Sequence, residues 1–153
     1  MHTSLQGIEA EWQAMRGLTL ELLAACSEDD LAFVPKGLGS VWKQFRHIGG
    51  IHEVYLAALQ SGRIAFDGSG RTYSGDASRE ALQAYFQVLS DRHAEALSDS
   101  DPAATIDWFG QAVSLRAHLI RLISHETLHH GQFIQQWRMR GRALPPGWQA
   151  WGV

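Results

Sequence analysis

The chain has 153 residues, 45% apolar and 19% charged, with a formal net charge of −3 at pH 7 when histidines are neutral. This is the composition of an ordinary globular chain with one sizeable core; it excludes a disordered segment, and its acidic balance gives no general attraction to nucleic acid. No stretch approaches the roughly 20 uninterrupted apolar residues of a membrane span, and the opening MHTSLQGIEAEW lacks a basic region followed by an apolar run, so neither a membrane nor an export route is expected.

The first helix is predicted from about residue 4 to 27, where Ile8, Trp12, Met15, Leu18, Leu22 and Ala25 recur at steps of three and four. Cys26, near its end, is the only cysteine, so no internal disulfide can form and a reducing, cytoplasmic setting is expected. SEDD ends this helix, and FVPKGLGS reads as a loop by its proline and glycines. Ser40 is a candidate N-cap for a second helix, 41–61, carrying Val41, Phe45, Ile48, Ile51, Tyr55 and Leu59. Residues 62–76, GRIAFDGSGRTYSGD, are too many and too polar for a tight helix hairpin. Extended they reach roughly 50 Å, against roughly 32 Å for the preceding helix, so they can cross the length of a bundle or shape the mouth of a site. A third helix, about 77–98, carries Leu82, Tyr85, Phe86, Leu89, Ala96 and Leu97, and a fourth, about 111–141, is broken only by Gly131. Arg138, Arg140 and Arg142 close that helix, where cations suit the negative end of the macrodipole better than they argue for a phosphate site.

Nothing in the chain reads as a sheet. The four stripes need one another for burial, so the expected fold is all-α, a four-helix bundle in a single domain over 1–153. Trp12, Trp42, Trp108 and Trp137 are expected in the core or as pocket walls. Trp148 and Trp151, in a proline-rich tail, are expected to fold back on the bundle.

The chemistry gathers in the run HETLHHGQ. His125 and His129 are four apart, about 40° and one turn on a helix, roughly 6 Å, and two imidazoles so placed can chelate one ion. With Glu126 they complete H-E-x-x-H, a zinc-peptidase signature in which the glutamate is the general base. A peptidase needs a third ligand, however, and the segment after His129 contains no aspartate or glutamate. Its one histidine, His130, lies about 140° around the helix from His125. The third ligand should then come from upstream. His47 lies among the core positions Phe45, Ile48 and Ile51 and is followed by Gly49 and Gly50. Each glycine costs a helix interior roughly 1 kcal/mol, a cost easier to understand where another group must approach closely. The expected metal ligands are therefore His47, His125 and His129, with Glu126 as the catalytic candidate. His52, His93, His118 and His130 read as satisfied core histidines, with His52 or His118 able to line a pocket.

SVWKQFRHIGGIHEVY followed much later by HETLHHGQFIQQWRMRG resembles the DinB/YfiT-like superfamily of metal-binding four-helix proteins. The resemblance covers essentially the whole chain, including the closing LPPGWQAWG. It implies one ligand histidine on helix two and an H-x-x-x-H pair on helix four, matching His47, His125 and His129, in an up-down-down-up bundle with a crossover between helices two and three. One departure is the HHGQ run, where an arginine before the glycine is common, so an anion contact from that position is not carried over.

Three neutral nitrogen ligands leave a coordination position open, as catalytic sites do. The cofactor expected is one divalent transition metal ion, zinc or nickel first, with iron or manganese also compatible. The resemblance implies a transferase that uses the metal to activate a low-molecular-weight thiol toward a small electrophilic substrate, in a stress or detoxification role, with no nucleic-acid partner and a homodimer compatible. Two alternatives stand beside it: a metal-dependent hydrolase of the same fold, and a non-catalytic bundle that binds a metal or small molecule.

Overall fold

The computed structural model describes residues 3–68 and 71–153. Helix α1 (Thr3–Ala25) is followed by a short α2 (Glu28–Ala32), then α3 (Val41–Ser61), α4 (Arg79–Asp99), strands β1 (Thr105–Trp108) and β2 (Gln111–Ser114), α5 (Leu115–Met139) and a 3₁₀ helix, Pro146–Trp151. The four long helices lie where the apolar stripes put them. Ser40 stands at the N-cap of α3 as predicted, although its side chain makes no capping hydrogen bond, and α3 closes on Gly62, whose φ of 72° lets its N–H bond back to Ala58 at 2.9 Å.

Three local expectations are corrected. SEDD is not the end of the first helix. Ser27 and Asp30 form a capping box that starts α2. Residues 111–114, assigned to the last helix, are instead a strand, and a two-stranded antiparallel sheet precedes α5, which begins after its own N-cap, Ser114. The strands are joined by Phe109 and Gly110, with φ of 54° and 87°, the pair of positive values that a tight I′-type hairpin demands. The hairpin docks on the start of the crossover: Asp107 donates its N–H to the Gly62 carbonyl at 2.8 Å, and its carbonyl accepts from Ile64 N–H at 3.0 Å. The arginine cluster is structural too, since Arg140 and Arg142 both pair with the buried Asp30.

Side-chain pairs give the helix directions. Gln44 meets Gln136, His47 meets His125 and Tyr55 meets His118, so α3 and α5 run antiparallel. Gly49 faces Tyr85 and His52 faces His93, so α3 and α4 run parallel. Helix α1 opposes α4, with Glu9 on His93 and Arg16 on Phe86, and runs with α5. Taken in chain order the long helices go up, down, down and up. The core between them is built on Leu22, Phe45, Phe86, Phe133, Trp137 and Trp148, all essentially inaccessible. Trp148 folds back as expected and donates its indole N–H to the Leu18 carbonyl at 3.0 Å.

Two glycines separate sterics from propensity. A Cβ on Gly49 would lie 2.1 Å from the Tyr85 ring, whereas one on Gly131, inside α5, would meet nothing within 4 Å. Gly131→Ala should therefore raise stability by about 0.5–1 kcal/mol, and Gly49→Ala should lower it by about 1–3 kcal/mol despite the same gain in helix propensity. Urea denaturation of the two variants checks the opposite signs.

Buried histidines supply a second test. His118 accepts from the Trp108 indole at Nδ1, 3.1 Å, and so presents Nε2–H to the Tyr55 carbonyl, 3.1 Å. A second ring proton would face the indole N–H, and burial itself pushes the group down to about 4. His52 is held well below its ordinary value, first by burial and then by the Arg16 charge. Both are neutral when folded and protonate near 6.5 when unfolded, so the unfolded chain binds more protons between those values. Stability should be full above about pH 6.5 and fall as the pH drops toward 4, by up to about 1.4 kcal/mol per pH unit per histidine. Urea midpoints from pH 7 to 5 measure it; a flat profile would contradict the assignment.

Candidate metal centre

The antiparallel pairing of α3 and α5 brings the three predicted ligands together. His125 Nε2 lies 3.2 Å from His47 Nε2 and 3.3 Å from His129 Nε2. The ring centroids are 4.7 to 5.2 Å apart. His47 is solvent-exposed, and His125 and His129 are half-buried. Among the described residues, these three side chains form the cluster able to hold a metal ion.

The spacing fits a small ion. Bonds of about 2.0–2.1 Å to tetrahedral zinc put neighbouring nitrogens about 3.3–3.4 Å apart, close to both separations found here. His129 also shows a chosen tautomer. Its Nδ1 lies 3.0 Å from Gln132 Oε1 and donates to it, which leaves the Nε2 lone pair facing the other two rings. Gln132 is fixed in turn by Gln44, whose amide nitrogen reaches the same oxygen at 2.7 Å, and Gln44 accepts from Gln136 at 2.8 Å. Such outer partners orient a ligand ring and raise its basicity.

All three rings are held in the neutral form that ligation requires. Burial pushes His125 down to about 4, and the His129 and His47 rings add to the effect. His129 is lowered by burial and then by His47, against the opposing Gln132 bond and Glu126 charge. Although His47 is exposed as a residue, partial desolvation of its ring lowers it first, and the Arg71 and Arg46 charges lower it further.

Glu126, the catalytic candidate, is placed elsewhere. Next to His125 in sequence but about 100° around the helix, it is 1% exposed and points into the bundle. Arg16 grips both carboxylate oxygens at 3.0 Å, and Thr19 donates to Oε1 at 2.5 Å. A carboxylate buried in the bundle, with both oxygens already bonded, does not face the triad, which counts against a role as base there. His130 joins the same network through Thr19, 2.8 Å. Arg16 continues it the other way, donating to His52 Nδ1 at 3.3 Å, and the chain runs on through His93 to Glu9, each link 3.0 Å. The four histidines read as core residues are thus all buried and hydrogen-bonded. The cost of Gly49 and Gly50 is also explained, because the Tyr85 ring lies against the first and the Arg71 side chain against the second.

The DinB superfamily profile matches residues 11–133, a span that contains all three histidines. The chain belongs to the DinB superfamily. Two solved DinB-like structures share its fold. One, from Bacillus cereus ATCC 10987, superposes with a TM-score of 0.75 at 22% identity, covering 92% of this chain and 95% of its own. The other, YjoA from Bacillus subtilis, gives 0.74 at 19% identity, with 92% and 96% covered. No curated protein matches the chain.

Sequence reasoning missed the glutamines around the triad and Arg16 beneath it. Gln44 and Gln132 each stand three residues from a ligand, on the same helix face, a signal that was available. Arg16 carries none, because a lone arginine in an amphipathic helix reads as solvated.

The two networks should separate on mutation. His129→Ala should abolish stoichiometric metal binding, and Gln132→Leu should weaken it about 10–100-fold. Glu126→Gln should keep full metal content while lowering stability by on the order of 3 kcal/mol, since it strands the buried Arg16 charge. Elemental analysis beside denaturation curves checks each.

Proposed function

We propose that this DinB-superfamily chain is a metal-dependent enzyme that activates a low-molecular-weight thiol for attack on a small electrophile. The observation that carries the reading is the three-nitrogen cluster, with one ligand, His47, at the solvent surface and no fourth protein ligand among the described residues. Structural zinc sites are closed by four protein ligands, whereas catalytic ones keep a position free. The thiol comes from the family resemblance.

A divalent ion held there supplies a Lewis acid that lowers the pKa of a bound thiol or water. The chain's own part is to keep three imidazoles neutral, to fix the His129 ring through Gln132, and to leave one side open to the substrate. In the reaction the thiol loses its proton to solvent, a carbon–sulfur bond forms, and the leaving group departs with its electron pair. No protein base is needed, because the thiolate is itself the nucleophile. Hydrolysis asks for more. Water needs a base beside the metal, and the adjacent acid, Glu126, is tied to Arg16 and Thr19. Thiol chemistry is therefore favoured over the hydrolase of the same fold.

Imidazoles alone do not select the ion, and zinc or nickel is the first candidate. Protein reconstituted with each should conjugate cysteine or glutathione to 1-chloro-2,4-dinitrobenzene above the uncatalysed rate. The rate should return to background after chelation and in the His47→Ala, His125→Ala, His129→Ala triple variant. Ester hydrolysis without any thiol, at a rate that depends on the same three histidines, would replace the proposal with the hydrolase reading.

A further inference from the structure

Beside the triad lies a cleft of about 290 Å³ lined by Arg46, His47, Gly50, Arg71, Tyr73 and Tyr85. His47 belongs to both, so the cleft adjoins the metal centre. One wall is α3 at Gly50, where a Cβ would stand 3.4 Å from Arg71 Cδ and 3.5 Å from its Nε. Glycine lets that side chain lie close against the helix. The tyrosine rings, centroids 4.8 Å apart, form another wall. Their hydroxyls are already used, Tyr85 donating to Glu53 and Tyr73 to the Asp76 carbonyl. Glu53, the nearby acid, is 1% exposed and already accepts from Tyr85 and from Thr72 N–H.

The polar capacity left in the cleft is two guanidiniums. Neither Arg46 nor Arg71 is ion-paired among the described residues. Arg46 lies over the Trp42 ring at 5.2 Å, which restricts where its head can go. Two unpaired cations in one small recess, on a chain of net charge −3, are an arrangement suited to an anion. The planar fork of arginine matches the two oxygens of a carboxylate. A recess at the small end of the roughly 300–1,000 Å³ range of ligand sites suits the end of a compact molecule, not a nucleotide.

We propose that Arg46 and Arg71 form a carboxylate subsite, which makes the substrate thiol a small thiol acid with its sulfur at the metal centre and its carboxylate in the cleft. This rests on the thiol reading above. It assigns to the crossover segment, through Arg71, the selection of the substrate.

Nickel-loaded protein is titrated with 3-mercaptopropionate and with 2-mercaptoethanol at about 0.15 M salt, where loose surface attraction is screened, and binding is followed by sulfur-to-nickel charge-transfer absorption. The thiol acid should bind about tenfold tighter. In the Arg46→Gln, Arg71→Gln double variant that preference should fall to near parity, with 2-mercaptoethanol unaffected. Equal affinities in the native protein, or a preference that survives in the variant, overturns the subsite. If neither thiol perturbs the nickel spectrum, the thiol reading has failed, and calorimetry of propionate with metal-free protein decides the cleft independently. Propionate binding that is lost in the double variant supports a carboxylate site; no binding, or tighter binding of inorganic phosphate, overturns it.

Discussion

The buried ion pair between Arg16 and Glu126 sets the rotation of the last helix, and the metal centre follows from that rotation. Residues 125 and 126 are about 100° apart on a helix, and 125 and 129 about 40°. Once Glu126 is turned inward onto Arg16 of α1, His125 and His129 can only face α3, where His47 stands. Rotating α5 by a fraction of a turn would bring the histidines inward and strand a carboxylate at the surface or a guanidinium in the core. Removing one partner of a buried pair typically costs about 3–5 kcal/mol, which is large against the stability of a domain this size. The same arginine reaches His52, and through His93 reaches Glu9, so one polar thread ties all four long helices.

That thread also explains how the seven histidines among the described residues divide into two populations. His118 and His52 are held neutral by burial and by donors aimed at the ring, an indole at the first and a guanidinium at the second. In the triad, the nitrogens instead face one another, an arrangement that sets lone pair against lone pair in neutral rings and that a shared cation relieves. Burial gives His118 in the core and His125 in the triad the same low proton affinity. What distinguishes them is whether the remaining lone pair already has a donor. At His118 and His52 it does, and in the triad the ring nitrogens face one another.

The long apolar periods were legible, and so was the clustering of His47, His125 and His129, because a four-residue histidine spacing and a glycine pair after His47 carry geometric meaning by themselves. The hairpin was not legible. Each of its strands has four residues and one buried side chain, Ile106 or Val113, too few alternations to compete with the helical pattern that follows. The capping box at Ser27 was hidden because the acidic first turn of α2, at Glu28, Asp29 and Asp30, follows α1 so closely that it reads as that helix's end. Glu126 was misjudged for a different reason. A motif gives a residue's neighbours along the chain, but its role depends on the helix packed opposite, and the arginine there lies 110 positions away.

The crossover shows how a topological necessity becomes part of the site. Helices α3 and α4 run parallel, so the chain between them must return along the bundle, and a tight turn is ruled out. Left loose, the described residues of that segment would be of no use to the triad. They are tied down instead at Glu53, which accepts from the backbone and hydroxyl of Thr72 and from Tyr85. Tyr85 can reach that acid because its ring lies on the bare backbone at Gly49, and Arg71 comes to rest beside Gly50 for the same reason. The glycine pair that weakens α3 as a helix therefore lets α4 and the crossover approach it closely, and that approach builds the recess next to His47.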